Sequence, residues 1–159
     1  MKRLGIALAG ALLLATAAQA QKVTAADTQK IEQCLTAADE GEASGAACVG
    51  IIADPCIKAS RGSNTDDKDW KKCAAQELPI WAGLMKKALQ EIKQGGFADV
   101  TKAAASSQET WTKSTATLCP VFDKVEPGMA PGGAAYCRLQ ATGHRVIALR
   151  KLAAAVNEH

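Results

Sequence analysis

The stretch that decides the fold reads Trp81-Ala82-Gly83-Leu84-Met85-Lys86-Lys87-Ala88-Leu89-Gln90-Glu91-Ile92-Lys93-Gln94-Gly95-Gly96. Trp81, Leu84, Met85, Ala88, Leu89 and Ile92 stand at i, i+3, i+4, i+7, i+8 and i+11, so they form one apolar stripe along an α-helix. Lys86, Lys87, Gln90, Glu91 and Lys93 fall largely outside the stripe, and Gly95-Gly96 stops the helix. Pro79 is expected either to kink this helix near its middle or to mark where its regular part begins.

The same period recurs on both sides. A first helix is predicted over about Ala25 to Ala38, opened by Thr24 with Asp27 three residues on and carrying Ile31 and Leu35 on one face. A second is predicted over about Ala46 to Ala59, with Val49, Ile52 and Cys56 along one side and a kink or split at Pro55. After Gly96, a helix from about Asp99 to Leu118 carries Val100, Ala104, Ser107, Trp111, Ser114 and Leu118 four and three apart. This reads as a seam of small residues on which Trp111 fills a pocket between neighbours. A last helix, about Ala134 to Val156, carries Ala135, Leu139, Thr142, Val146, Leu149, Ala153 and Val156, with Thr142 the polar exception. The chain is Ala-rich and poor in aromatic residues and β-branched runs, which favours helices over strands. The expected fold is all-α: a small bundle of about five helices.

The N-terminus supplies an address. Lys2 and Arg3 precede an uncharged apolar run from Leu4 to Ala17, and Ala18-Gln19-Ala20 places small residues where a signal peptidase reads. Residues 1–20 are expected to be a secretory signal peptide cleaved after Ala20, leaving 21–159 as a single domain in the periplasm or outside the cell. The run is shorter than the roughly 18 apolar residues of a membrane-spanning helix, and no later run is longer, so the chain is not expected to be membrane-embedded.

All six cysteines, Cys34, Cys48, Cys56, Cys73, Cys119 and Cys137, lie beyond that leader. An even number in an exported chain reads as three disulfides. Cys119 and Cys137, at the end of one helix and the start of the next, are the pair this order favours most. Cys34 with Cys48 and Cys56 with Cys73 would complete three hairpin-like bridges, although Cys34 with Cys73 also suits a first helix packed on the third.

Several kinds of chemistry lack their residues. Without Lys2 and Arg3, 17 basic residues face 16 acidic ones, so no basic stripe exists to attract nucleic acid. There is no C-x-x-C, only two histidines (His144 and His159), no H-E-x-x-H, no G-x-S-x-G and no Gly-rich phosphate loop. Asp66, Asp67 and Asp69 lack the Gly and the distal Glu of a calcium loop and read as solvated acids at a helix start. No cofactor, metal or catalytic residue is expected.

A constellation of spacings remains. It reads Glu77-x-x-x-Trp81-x-x-Leu84, then Gln108-x-x-Trp111 with Cys119 eight residues on, a Gly-rich loop, Ala134-Ala135-Tyr136-Cys137, and Thr142-x-x-Arg145-x-x-x-Leu149. Over roughly Cys48 to Leu152 this order resembles the LprI N-terminal-domain family, small exported bacterial proteins named after a lysozyme inhibitor. The aromatic-Arg-Asp run usual in that family reads Ser114, Thr115 and Ala116 here, and the Asp that commonly follows the first Trp is Ala82. The resemblance implies an exported binding protein with a lysozyme, or another envelope protein, as partner.

Read as residues, Trp81 and Trp111 are core anchors, and Arg145 is expected to clamp the bundle by reaching either the carbonyls that end another helix or the carboxylate of Glu77. Recognition is expected on two loops flanked by cysteines: Arg61 to Asp69, which carries Arg61 and Asn64, and Asp123 to Gly133, which carries Lys124. A carrier of a small apolar ligand or lipid, and an envelope structural or stress protein, are the alternative functions. One outcome follows for the leader: the exported protein should begin at Gln21 by intact-mass measurement, and a cytosolic product retaining Met1 would contradict this.

Overall fold

The computed structural model describes residues 23–41, 44–60, 67–126 and 129–158. The signal-peptide region and the candidate residues Arg61 and Asn64 lie outside the described residues. The elements are α1 (Ala25–Asp39), a 3₁₀ turn (Gly45–Cys48), α2 (Ala53–Ser60), α3 (Asp67–Gln94), α4 (Ala98–Leu118), a 3₁₀ helix (Cys119–Lys124) and α5 (Gly133–Asn157). No strand occurs among the described residues, so the fold is an all-α bundle of five helices. No helix among them is long and apolar enough to cross a membrane.

The stripes decide the packing. Trp81, Leu84, Ala88 and Ile92 of α3 are buried against Leu139, Val146, Leu149 and Ala153 of α5, and this interface is the largest in the molecule. Ile31 and Leu35 of α1 and Ile57 of α2 close the core around Trp81, which has no exposed surface. Thr142, the polar member of the α5 stripe, donates to the Arg138 carbonyl at 2.7 Å, so its hydroxyl is satisfied within its own helix. At Gly143 a Cβ would fall 2.6 Å from Val49, so only glycine lets the segment after the first 3₁₀ turn seat on α5.

Three bridges join cysteines that are neighbours in sequence: Cys34 with Cys48, Cys56 with Cys73 and Cys119 with Cys137. They close separations of 14, 17 and 18 residues. Loops of this size are worth about 3 kcal/mol each in the chain-entropy model.

The structure departs from the sequence expectations in three places. The predicted helix over Ala46 to Ala59 is split into the 3₁₀ turn and α2, and the break falls at Gly50 and not at Pro55. Gly50 adopts φ +96°, and the N–H groups of Gly50, Ile52 and Ala53 bond to the Glu77 carboxylate instead of to helix carbonyls. Pro55 sits in the first turn of α2, where a missing N–H costs no helix bond. Pro79 lies inside α3, near its middle and on the exposed side, where the first of its two expected readings placed it.

The α4 seam is a second departure. Of its residues only Ala104 is buried; Ser107, Ser114 and Leu118 are exposed and Trp111 is half-buried. Trp111 therefore does not fill a pocket between neighbours, because α4 packs chiefly on α3 and its second half leans along the outside of the bundle. Last, Arg145 reaches neither helix-end carbonyls nor Glu77. Its Nε donates to Gln108 Oε1 and its terminal nitrogen to Ser107 Oγ, both at 3.0 Å, which ties α4 to α5.

Glu77 is the one fully buried charged residue among the described core. Its Oε1 accepts from Gly50 N–H at 2.8 Å and from Trp81 Nε1–H at 2.6 Å; its Oε2 accepts from Ile52 and Ala53 N–H at 3.0 and 2.8 Å. A carboxylate offers four acceptor positions and no donor, which matches four N–H groups. Glu77→Gln turns an amide NH₂ toward one of those donors and should cost about 3 kcal/mol, lowering Tm by about 10 °C. A thermal melt within a degree or two of the unsubstituted protein would contradict this.

Candidate apolar recognition groove

The strongest surface feature lies where the Cys119–Cys137 bridge pins the 3₁₀ helix onto the first turns of α5. Pro120 follows the bridged cysteine and turns the chain out of α4, so the apolar run Leu118, Val121 and Phe122 cannot continue an amphipathic stripe and faces outward. Leu118 is 55 % exposed, Val121 49 %, Phe122 38 % and Met129 73 %. Leu118, Phe122 and Met129 line an open groove of about 610 Å³ together with Trp70 of α3 and with Tyr136, Gln140 and Ala141 of α5.

Trp70, in the first turn of α3, meets Tyr136 edge-to-face, with ring centroids 5.4 Å apart and planes at 76°. The Tyr136 hydroxyl donates to Asp54 Oδ1 at 3.2 Å, which fixes the ring. Burial, then the neighbouring Asp54 carboxylate, pushes this phenol above its ordinary range. The bridged Cys137 and Tyr136 contribute apolar surface, so the groove carries polar atoms mainly on Gln140.

The mouth of the groove is held by two carboxylates at the start of α5. Asp67 Oδ1 accepts from Gly132 N–H at 2.8 Å and Asp123 Oδ1 from Ala134 N–H at 3.1 Å, so both cap N–H groups that the helix itself cannot satisfy. Lys71 Nζ bridges them, 2.7 Å from Asp67 and 3.5 Å from Asp123. The Lys71 ammonium, then the Gly132 N–H, hold the Asp67 carboxyl below the usual range, and Asp67 in turn raises Lys71. Asp67, expected as a solvated helix-start acid, thus spans two elements.

The residues singled out from the sequence fall into two groups. Lys124 ends the 3₁₀ helix, exposed, and is not among the residues that line the groove. Glu77, Trp81, Thr142 and Leu149 are buried in the core, and Gln108 and Arg145 bond to each other between α4 and α5. The motif is therefore mostly scaffold and does not converge on one surface. Trp70, Leu118, Phe122, Met129 and Tyr136 were missed as a set, because they come from four elements and a loop and follow no period. Their one signal in sequence is the aperiodic apolar run Leu118-Cys119-Pro120-Val121-Phe122, bridged to a cysteine next to the tyrosine.

His144 is exposed on α5 and lines a second cleft of about 330 Å³ beside the end of α1, where Arg150 pairs with Asp39. Among the described residues no group of three or more His, Cys, Asp or Glu side chains is placed to hold a metal ion.

Because the folded pKa of Asp67 is depressed, its contribution is present above the unfolded value of about 4 and is lost as pH falls through the folded value. Acid should therefore weaken the Asp67 contacts that join the start of α3 to the start of α5, by a small amount because water screens so exposed a pair. Trp70 fluorescence followed below pH 5 should show this step, and Asp67→Asn should flatten it; an unchanged step in that variant would contradict the assignment. No family model, curated protein or solved structure matches the chain.

Proposed function

We propose that the chain is an exported binding protein of the LprI-like kind, with no catalytic role, and that the groove at Cys119–Cys137 is the surface that meets its partner. One observation carries this reading: Leu118, Phe122 and Met129 stand exposed together on a scaffold fixed by a disulfide, a helix cap and an aromatic pair. Single exposed apolar side chains are ordinary, but a clustered set beside a concave surface marks a contact site. Three bridges fit assembly in an oxidising compartment, which agrees with the expected leader.

A lysozyme is the partner that the resemblance supplies, and Lys124 favours it. This exposed ammonium, in the same 3₁₀ helix as Phe122, is suited to meet the carboxylates of a glycan-cleaving cleft. Oxidised mature protein should slow cell-wall lysis by at least one lysozyme at micromolar concentration, and Leu118→Glu with Phe122→Glu should weaken the effect at least tenfold. If no lysozyme is inhibited, that partner is eliminated. If, in addition, envelope proteins captured by the unsubstituted chain are captured equally by the double variant, the groove is not the recognition surface.

A further inference from the structure

We infer that the cleft between the end of α1 and α5 is a second binding site, built for a small carboxylate on a short apolar body. It lies apart from the groove at Cys119–Cys137 and shares no lining residue with it. One side of the cleft is α5. His144, Ile147, Arg150 and Lys151 stand there at i, i+3, i+6 and i+7, which puts them along one face of the helix. The other side is the last turn of α1 and the chain at Ser44 to Ala46. A Cβ at Gly45 would already lie 3.3 Å from Ile147, so the two sides approach closely.

Arg150 carries the inference. Its Nη2 pairs with Asp39 Oδ2, which ties α5 to α1. Its Nε is buried without a hydrogen-bond partner, the one buried side-chain nitrogen or oxygen left so among the described residues. In a guanidinium, Nε–H and the neighbouring Nη–H form a planar fork that grips an oxoanion with two parallel bonds. Asp39 takes only Nη2, so a clamp between α1 and α5 leaves the bare Nε unexplained. A donor buried without an acceptor carries a desolvation penalty, and an incoming oxygen removes it. The contrast with Glu77, whose carboxylate has four donors, is sharp.

Charge and size define the ligand. Arg150 and Lys151 face a single acid among the lining residues, Asp39, so the formal surplus is one positive charge. A water satisfies an N–H but leaves that surplus, whereas a monoanion meets both. A doubly charged phosphate exceeds the surplus and repels Asp39 more strongly. Ser44, His144 and Lys151 are exposed and make no hydrogen bond or ion pair among the described residues, so they are open to the second carboxylate oxygen. Leu35 and Ile147, both part of the core cluster, give the cleft its apolar portion. At about 330 Å³ it lies at the small end of the range for ligand sites, which fits a carboxylate of a few carbons.

The test is an NMR titration of the whole mature protein, ¹⁵N-labelled, with acetate, propionate and butyrate at constant ionic strength. Butyramide is the neutral probe and inorganic phosphate the competing anion. The Arg150 Nε–H signal should move downfield and saturate in the millimolar range, with affinity rising up to about fourfold per added methylene. Arg150→Lys keeps a charge opposite Asp39 and removes the fork, and Ala46→Trp fills the cleft from an exposed position. Each should weaken binding about tenfold or more, read from the backbone amides of Gly45 and Ile147, with helical circular dichroism unchanged. Lys151→Ala should weaken it several-fold, and Leu118→Glu with Phe122→Glu should leave it unchanged.

Absence of a saturable shift, or binding that Arg150→Lys and Ala46→Trp leave intact, overturns the inference. Equal affinity for butyrate and butyramide overturns the anionic ligand, and phosphate binding more tightly than butyrate overturns the carboxylate. Binding lost in the Leu118→Glu, Phe122→Glu variant and kept in Ala46→Trp places the carboxylate in the groove and overturns this site.

Discussion

The fold turns on one carboxylate. Glu77 lies in the middle of α3 with no exposed surface, and its four hydrogen bonds reach into two different parts of the core. Three of them hold the segment between the first 3₁₀ turn and α2. That segment enters the interior with its N–H groups bare, and without Glu77 they would be buried unsatisfied. The fourth locks the indole of Trp81, the largest buried side chain, four residues further along the same helix. Because Ile52 and Ala53 lie at the start of α2, the negative charge also sits where the helix dipole favours it. One residue thus sets the break before α2, the direction of α2 and the orientation of the central aromatic ring.

The rest of the molecule is built outward from that point in decreasing order of burial. The α3–α5 interface is apolar and closely packed, with Gly143 allowing the segment at Val49 to reach the backbone of α5. α1 and α2 add Ile31, Leu35 and Ile57 and are fastened by Cys34–Cys48 and Cys56–Cys73. α4 contributes one buried residue, Ala104, and is held by the Arg145–Gln108–Ser107 bonds and by the bridge just beyond its end. The groove lies at this outer margin, where apolar residues were not drawn into the core and polar caps fix the backbone around them.

Much of this was legible in the sequence, and what was not has identifiable causes. The stripes of α3 and α5 fixed the helices and their buried faces because each runs long enough for the 3.6-residue period to be unambiguous. The capping box at Thr24 and Asp27 marked the start of α1, and the structure shows both of its bonds. The error over Ala46 to Ala59 arose because a side chain 24 to 27 residues away competes for the backbone donors of that segment, and no local pattern reports such a partner. The α4 seam misled for a related reason: Ala, Ser and Thr at four-three spacing satisfy the pattern of a packed face while burying too little to require one. The groove was the hardest to see, since its lining comes from α3, the end of α4, the 3₁₀ helix, the loop before α5 and α5 itself, segments far apart in sequence. In the LprI-like motif, Glu77, Trp81, Gln108 and Arg145 are joined by hydrogen bonds within two clusters, which explains their spacings as architecture rather than as a contact surface.

The cysteine connectivity has a topological corollary. Every bridge closes on a neighbouring segment, and none spans the Gly95-Gly96 turn between α3 and α4. Cleavage of the backbone at that turn would yield two internally cross-linked pieces with no covalent bond between them, meeting chiefly across the faces of α3 and α5. The protein is in this sense a natural two-part device, whose halves could be produced separately and would report their encounter by burying Ile92 and Leu149 against one another.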